Sequence, residues 1–524
     1  MNQELIKFCA KNGFLLDKEI IDLFSKCSNI EILKSFLQKL KFNLQTSVIN
    51  TANLNNNLDK LKRAYLELNP EAKKDLFFIL DKFNLNLEKT KEILEIKPIF
   101  EEVSTVSVLA NYPPIYKKVE VKDFVTHFKN RFINIQNVLR SNPSLTNLTS
   151  INKISGDQQG ISIIGMISEK QVTKNNNIIL TIEDLTGSIK VLINQNKPEL
   201  YSLANEISLD CVLGFKGSGN NKILFVNEIV FPECFLQTRK KSNTEEYALF
   251  VADLHYGSKL FLKDSFQKFL DYLQGKLPNT PEVSKIKYLF LVGDIVSGVG
   301  NYPDQENDLA ILDLEDQFLA LAKDLDKIPK SIKIIISPGN HDGVRIMEPQ
   351  PMFDEKYAWS LYQMSNVIIT SNPSIINIGK KDGFDGFNIL TYHGFSFQYY
   401  ANNVDSLMKI KAMNVPDKIM HYLLKCRSLA PTHGSSQYFP GQEDFYFINP
   451  VPDIFVSGHT HKSEVSYYNN ILVVSVSCWE SMTSYQEKMG SNPDHCKVPM
   501  FNLKTRAVKI LDFEEEHDKQ ICKD

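Results

Sequence analysis

The chain has 524 residues, 43% of them hydrophobic and 23% charged, with a formal net charge of −3. That length exceeds a single hydrophobic core and implies two to four domains. The charge balance excludes a globally basic nucleic-acid binder while leaving room for a local basic groove, and no run approaches the roughly 18 apolar residues of a membrane span. The N-terminal stretch carries Glu4 and lacks a charged-then-apolar leader, so a cytoplasmic protein is expected. Eight cysteines without C-x-x-C spacing argue against a zinc ribbon and against a disulfide framework.

Residues 1–44 carry apolar residues at helical spacing: Leu5, Phe8 and Cys9, then Ile20, Leu23 and Phe24, then Ile32, Leu33, Phe36, Leu37 and Leu40. An Asn-rich interval at 50–57 reads as a linker. Helical character returns at 58–68 and 72–80, and Pro98 and Pro113-Pro114 close the region. The expected division is a helical domain at 1–48 and a helical or linker region at 49–114. Residues 121–139 form an amphipathic helix whose apolar stripe leaves Lys129 and Arg131 aside, both expected in solvent. From Ile161 the period shortens to two. Strands at 162–168, 178–183, 188–193, 206–215 and 222–230 suggest a small barrel of the OB type within a domain at 115–236. Few aromatics (Tyr201, Phe215, Phe225) are available for base stacking, so a structural or partner-binding role is expected for it. A polar linker at 237–246 holds the basic triplet Arg239-Lys240-Lys241, read as solvated. Over 247–515, apolar runs alternate with helical stretches at 261–274, 311–325 and 404–427, which is α/β layering on two sheets or one split sheet. Residues 516–524 read as a tail. The fold class is multidomain α+β.

Five apolar runs in this last region end in polar strings of one kind. They are Asp253-Leu-His255, Gly-Asp294, Gly-Asn340-His341-Asp342, His393-Gly and Gly-His459-Thr-His461. Residues two apart on a strand face the same way, so Asp253 and His255 leave their strand into one site. A lone Asp-x-His or Gly-Asp is an ordinary turn. Five strings at five strand ends, holding five of the ten histidines, make a site. Carboxylate, imidazole and one Asn carbonyl together suit Mn²⁺, Fe²⁺ or Zn²⁺ better than Ca²⁺ or a thiolate site. Six or seven ligands exceed one tetrahedral ion and fit two ions about 3.5–4 Å apart that share a carboxylate. Such a pair binds phosphate oxygens and activates water, and a histidine at the rim can give the leaving oxygen its proton.

The series of strings resembles the calcineurin-like metallophosphoesterase family. That resemblance implies one ion held by Asp253, His255, Asp294 and His461, and a second by Asp294, Asn340, His393 and His459. It also implies a catalytic pair in which Asp294 bridges the ions and His341 meets the phosphate. The flanks at 293–303, 338–351, 392–396 and 429–434, and the order of parts, resemble the small subunit of archaeal family-D DNA polymerase over roughly residues 115–515. This implies a 3′→5′ exonuclease that proofreads DNA 3′ ends for a separate large catalytic subunit in a heterodimer. Contact with the sliding clamp would come through that complex. Two divalent ions are implied, Mn²⁺ first, with Fe²⁺, Zn²⁺ and Mg²⁺ as alternatives. Arg345 is expected to contact the DNA phosphate, with Asp342 and Ser297 behind the ligands. One departure stands out: Ser297 occupies the place of the second Asp in the family's Gly-Asp-x-x-Asp-Gly. A serine can hydrogen-bond but cannot stabilise an imidazolium by charge, which bears on rate and not on metal binding. The alternatives are a slow scaffold subunit of the same polymerase and a stand-alone phosphoesterase or repair nuclease. The second is disfavoured by the roughly 245 residues that precede the motifs.

Overall fold

The computed structural model describes residues 106–112, 117–441 and 443–515, together with separate stretches between residues 5 and 82. The chain divides into two compact units, Met1–Val103 and Ser104–Asp524.

In the first unit a short strand β1 (Leu15–Leu16) pairs in parallel with β2 (Val48–Ile49). Helix α1 (Lys18–Phe24) starts at Asp17, whose carboxylate accepts the Ile20 N–H. Helix α2 (Thr51–Asn56) starts at Asn50, whose side chain accepts the Asn53 N–H at 2.7 Å. The Asn-rich interval is therefore a capped helix and not a linker; asparagine weakens a helix interior but is a strong cap. Ile49, Leu54 and Leu61 share one buried cluster with Leu5, Phe24, Phe36 and Leu40, so no boundary falls at residue 48. Most of the helices expected at 58–68 and 72–80 lie outside the described residues.

The second unit opens with β3 (Val106–Ala110), which the sequence pattern placed in the helical or linker region. Its partner, more than 260 residues away, could not be read locally. Helix α3 (Val121–Arg140) follows, and then a closed barrel. Its strands are β4 (Gln158–Val172), β5 (Ile178–Asp184), β6 (Gly187–Ile193), β7 (Val212–Gly219) and β8 (Ile223–Val230), in the order β4-β5-β6-β8-β7. Helix α4 (Pro198–Asn205) lies between β6 and β7. Phe132, Ile135 and Leu139 of α3 pack on Ile164, Met166, Val212 and Val230 of the barrel. Contrary to expectation, Arg131 is also buried, 1% exposed. Its guanidinium meets the Asp444 carboxylate, the Pro431 carbonyl and the His127 ring. The basic triplet is likewise partly tied down: Arg239 stacks on Tyr467 and Lys240 pairs with buried Asp453 at 3.0 Å.

Two six-stranded sheets complete the unit. In the first, β9 (Tyr247–Val251), β10 (Ile286–Val292), β11 (Lys333–Ser337) and β12 (Val367–Ile369) run parallel; β18 (Lys497–Asn502) and β19 (Val508–Asp512) close the other edge. The second holds, in order, β16 (Glu464–Tyr468), β17 (Ile471–Ser475), β15 (Ile454–Ser457), β14 (Phe387–Thr391), β13 (Ser374–Ile378) and β3. Their inner faces meet through Phe250, Phe290, Ile376, Ile389, Val456 and Val474. Burial on both faces explains the continuous apolar runs of β10 and β15. Helices α5 (Lys263–Leu273), α6 (Leu314–Leu325) and α7 (Glu355–Tyr362) cover the outside of the first sheet. The helical stretch at 404–427 is interrupted: α8 (Phe397–Asn403) and α9 (Asp405–Lys409) precede Pro416, and α10 (Asp417–Cys426) starts after it. A last short helix, α11 (Ser484–Met489), follows β17. No helix among the described residues is long and apolar enough to cross a membrane. Seven cysteines are buried and none forms a disulfide among the described residues.

Candidate metal centre

The five strings converge because their strands are neighbours. β9, β10 and β11 are adjacent and parallel in the first sheet, and β14 and β15 in the second. Their C-terminal ends therefore open on one edge of the sandwich. Sharp turns are needed there, and the chain makes them without glycine at the key positions. Asp253, His255, Asp294, His459 and His461 all hold left-handed φ values between 48° and 69°. Backbone strain of this kind, about 1–3 kcal/mol per residue, is found where function over-determines the geometry. Glycine appears where backbone must pass close behind a ligand. A Cβ on Gly339 would run into the Asp294 carboxylate and backbone N, and one on Gly293 into the His393 ring.

The polar atoms fall into three overlapping groups, each with its ligand atoms within 4.8 Å: Asp253, His255 and His461; His255, Asp294 and His341; Asp294, His393 and His459. The His393 Nε2 lies 3.1 Å from Asp294 Oδ2 and 3.1 Å from Asn340 Oδ1. The His255 and His461 Nε2 atoms are 3.3 Å apart, and His461 Nε2 is 3.6 Å from Asp253. Asp253 accepts the His459 N–H, and Asp294 accepts the His341 N–H at 2.7 Å. All of Asp253, His255, Asp294, His393 and His461 are buried.

Burial and mutual charge push these groups apart. Burial alone would raise Asp294, but His393, His341 and His255 around it hold its carboxyl well below the usual carboxylate range. Asp253 is raised well above it, by burial and by the neighbouring Asp294 charge. Burial drives His459 down to about 3, and His255 and His461 downward as well. His393 goes the other way, to about 10, because Asp294 outweighs its burial. His255, His459 and His461 thus keep bare nitrogens, and together with His393 (whose proton a cation would displace), two carboxyl groups and an amide oxygen they form a donor set that fits divalent cations, with Asp294 shared between the two halves. Asp342 is not among the ligand groups. Its buried carboxylate accepts Val296 N–H at 2.8 Å and Gly339 N–H at 2.7 Å, latching the β10 and β11 loops together, and burial raises it to about 7.

The calcineurin-like phosphoesterase model matches residues 248–463, which enclose all five strings. The chain is 35% identical over 437 residues to the DNA polymerase II small subunit of Pyrococcus furiosus, covering 80% of this chain and 69% of that protein. It is 34% identical over 409 residues to the DNA polymerase II small subunit of Thermoplasma acidophilum, covering 77% and 80%. The chain belongs to the DNA polymerase II small-subunit family. Among solved structures, an archaeal phosphodiesterase aligns with 51% of this chain and 98% of its own at 13% identity and a TM-score of 0.25, a distant likeness that adds nothing to that assignment.

In this member of the DNA polymerase II small-subunit family, Ser297 does not act on His341 through its hydroxyl. That hydroxyl donates to the His255 carbonyl at 2.8 Å; it is the Ser297 carbonyl that faces His341 Nδ1, at 3.4 Å. Arg345 is held by its own loop, donating to the Pro349 carbonyl at 2.7 Å and stacking on Phe439. Two residues near the ligands were not singled out in the sequence. Gln486, at the start of α11, places its side-chain amide 2.8 Å from His461 Nδ1 while completing a capping box with Thr483; the T-x-x-Q spacing was a legible signal. Glu348, fully buried, accepts from Ser436, Tyr446 and Tyr392, and so props the residue next to His393. A carboxylate between a methionine and a proline gives no such signal.

Proposed function

We propose that this chain is the exonuclease-bearing small subunit of a two-subunit replicative DNA polymerase. It would trim 3′ ends of single-stranded or mismatched primer DNA and scaffold a large catalytic subunit, with the sliding clamp reached through that complex. The observation that carries the reading is the convergence of all five strings on one buried cluster with every expected ligand side chain present. On this reading Asp253, His255, Asp294 and His461 hold one divalent ion, and Asp294, Asn340, His393 and His459 the other. When bound, the two ions supply Lewis-acid activation of the phosphate and of the attacking water. In the hydrolysis a water oxygen–phosphorus bond forms and the bond from phosphorus to the 3′-oxygen breaks. The leaving 3′-oxygen takes a proton, and His341, held at the cluster by its N–H bond to Asp294, is the side chain that delivers it. The five-stranded barrel is read as an OB-fold whose role is contact with the partner subunit.

A second reading, a slow scaffold subunit, is favoured by one observation. Among the described residues, His341 Nδ1 lies against the Ser297 carbonyl and Asn301, neither of them a carboxylate. A 3′→5′ digestion assay with Mn²⁺ or Mg²⁺, alone and with the large subunit, separates the two. The exonuclease reading requires wild-type digestion that is lost in Asp294→Ala and His341→Ala. An inert wild type in the full complex leaves only the scaffold.

A further inference from the structure

We infer that Asn301 is a positioning residue for His341, clamping two loops so that the ring's Nδ1–H meets the Ser297 carbonyl and Nε2 faces the cluster. The inference rests on the exonuclease reading for its consequence in catalysis, though not for its geometry. The Asn301 amide nitrogen lies 2.9 Å from the Ser297 carbonyl, 3.2 Å from the His341 carbonyl and 3.4 Å from His341 Nδ1. An amide nitrogen has two hydrogens. The two nearest acceptors are the carbonyls, one on each loop. Turning the amide over would set its oxygen against both of them, so its orientation is determined. With both hydrogens taken, none remains for His341 Nδ1. On this reading that nitrogen is the donor, to the Ser297 carbonyl at 3.4 Å, where it is the third and longest contact after Asn301 and Gln305.

The clamp is itself fixed. Gln305, 2% exposed, accepts the Asn301 backbone N–H at 2.8 Å and donates to the Ser297 carbonyl at 3.0 Å. The glycine at 298, with φ of 67°, lets the loops approach: a Cβ there would collide with the His341 carbonyl. Asn301 is on the exposed side of this junction, so its loss opens the clamp without emptying a core. With Nδ1 engaged, Nε2 is the nitrogen left for His255 and Asp294, the group in which His341 stands. Nε2 is therefore the atom that carries the proton to the leaving oxygen.

The test uses the full chain in two measurements. Long-range ¹H–¹⁵N spectra of metal-free, histidine-labelled protein at alkaline pH report the ring tautomer, with His341 assigned by its loss in His341→Asn. The expected wild-type ring is protonated at Nδ1, and Asn301→Ala shifts it toward the tautomer mixture of a free ring. A wild-type Nδ1 without hydrogen, or an identical spectrum in Asn301→Ala, overturns the inference. Kinetics then compare DNA, whose leaving alkoxide needs a proton, with thymidine 5′-p-nitrophenyl phosphate, whose leaving phenolate does not. Asn301→Ala should lower the DNA-to-ester rate ratio roughly tenfold, and should change nothing further in the His341→Asn background. Equal losses on both substrates in both backgrounds mean a merely structural role and overturn it. If the wild type hydrolyses neither substrate even in complex with the large subunit, the exonuclease reading falls, and the spectra alone decide whether Asn301 positions the ring.

Discussion

The buried contact between α3 and the phosphoesterase region gives a prediction whose size follows from the structure. Arg131 has lost nearly all contact with water, and its charge is balanced by Asp444, itself buried, at 3.4 Å. Replacing Asp444 with alanine leaves the guanidinium with the Pro431 carbonyl and the His127 ring, and no counter-charge. His127 cannot take its place, since an imidazole is neutral or cationic and burial, pushing its pKa down to about 4, keeps it neutral. Breaking one side of a buried ion pair costs about 3–5 kcal/mol. If α3 detaches as a local unit, its amides should exchange with solvent roughly 10²–10³·⁵ times faster in Asp444→Ala. Hydrogen exchange read by mass spectrometry over Val121–Arg140 measures this, with the barrel strands as internal reference. Replacing both partners together, Arg131→Met with Asp444→Leu, should be near neutral, since removing a buried pair spares its desolvation. A single-variant effect below about 1 kcal/mol, or a double variant as damaged as the single, would refute the reasoning.

Gln486→Ala removes the amide that orients His461 and should weaken divalent-metal affinity about 10- to 100-fold, read by calorimetric titration. Gly339→Ala drives a methyl into Asp294 and should abolish bound metal by elemental analysis while leaving the far-ultraviolet circular dichroism unchanged. Glu348 is raised by burial to about 7 from an ordinary value of 4.5, so the folded chain holds a proton that the unfolded chain releases. Its stabilising contribution is complete below about pH 4.5 and is lost as pH rises toward 7. Glu348→Gln should flatten that decline, seen as urea midpoints at pH 5 and pH 8 that differ less than in the wild type.

The centre was legible because its chemistry is written in adjacent residues. Asp253 and His255, or His459 and His461, lie two apart just past the ends of β9 and β15, close enough in sequence to enter one site, although left-handed turns and not the pleat set their directions. What escaped reading depends on partners far along the chain. Arg131 looks solvent-bound on a helical wheel, since nothing near it announces Asp444. Residues 106–110 lie in a stretch read as helix or linker, yet pair with Ser374–Ile378. The left-handed turns at the ligands have no local signal either, because Asp and His hold them by the surrounding sheet and not by propensity. Ser297 was read by its side chain, whereas its carbonyl faces His341.

The antiparallel partnership of β3 and β13 also sets an order of events during synthesis. A ribosome moving at about 5–20 residues per second delivers β13 roughly 13–50 s after β3. For that interval the Val106–Ala110 segment, with Val108 and Leu109 exposed even in the finished sheet, has no strand to join. The barrel is complete long before then, so the last strand of the second sheet waits upstream of a folded module. A chain cut down to the phosphoesterase motifs alone would never receive it, and its β13 edge would stay open to other chains.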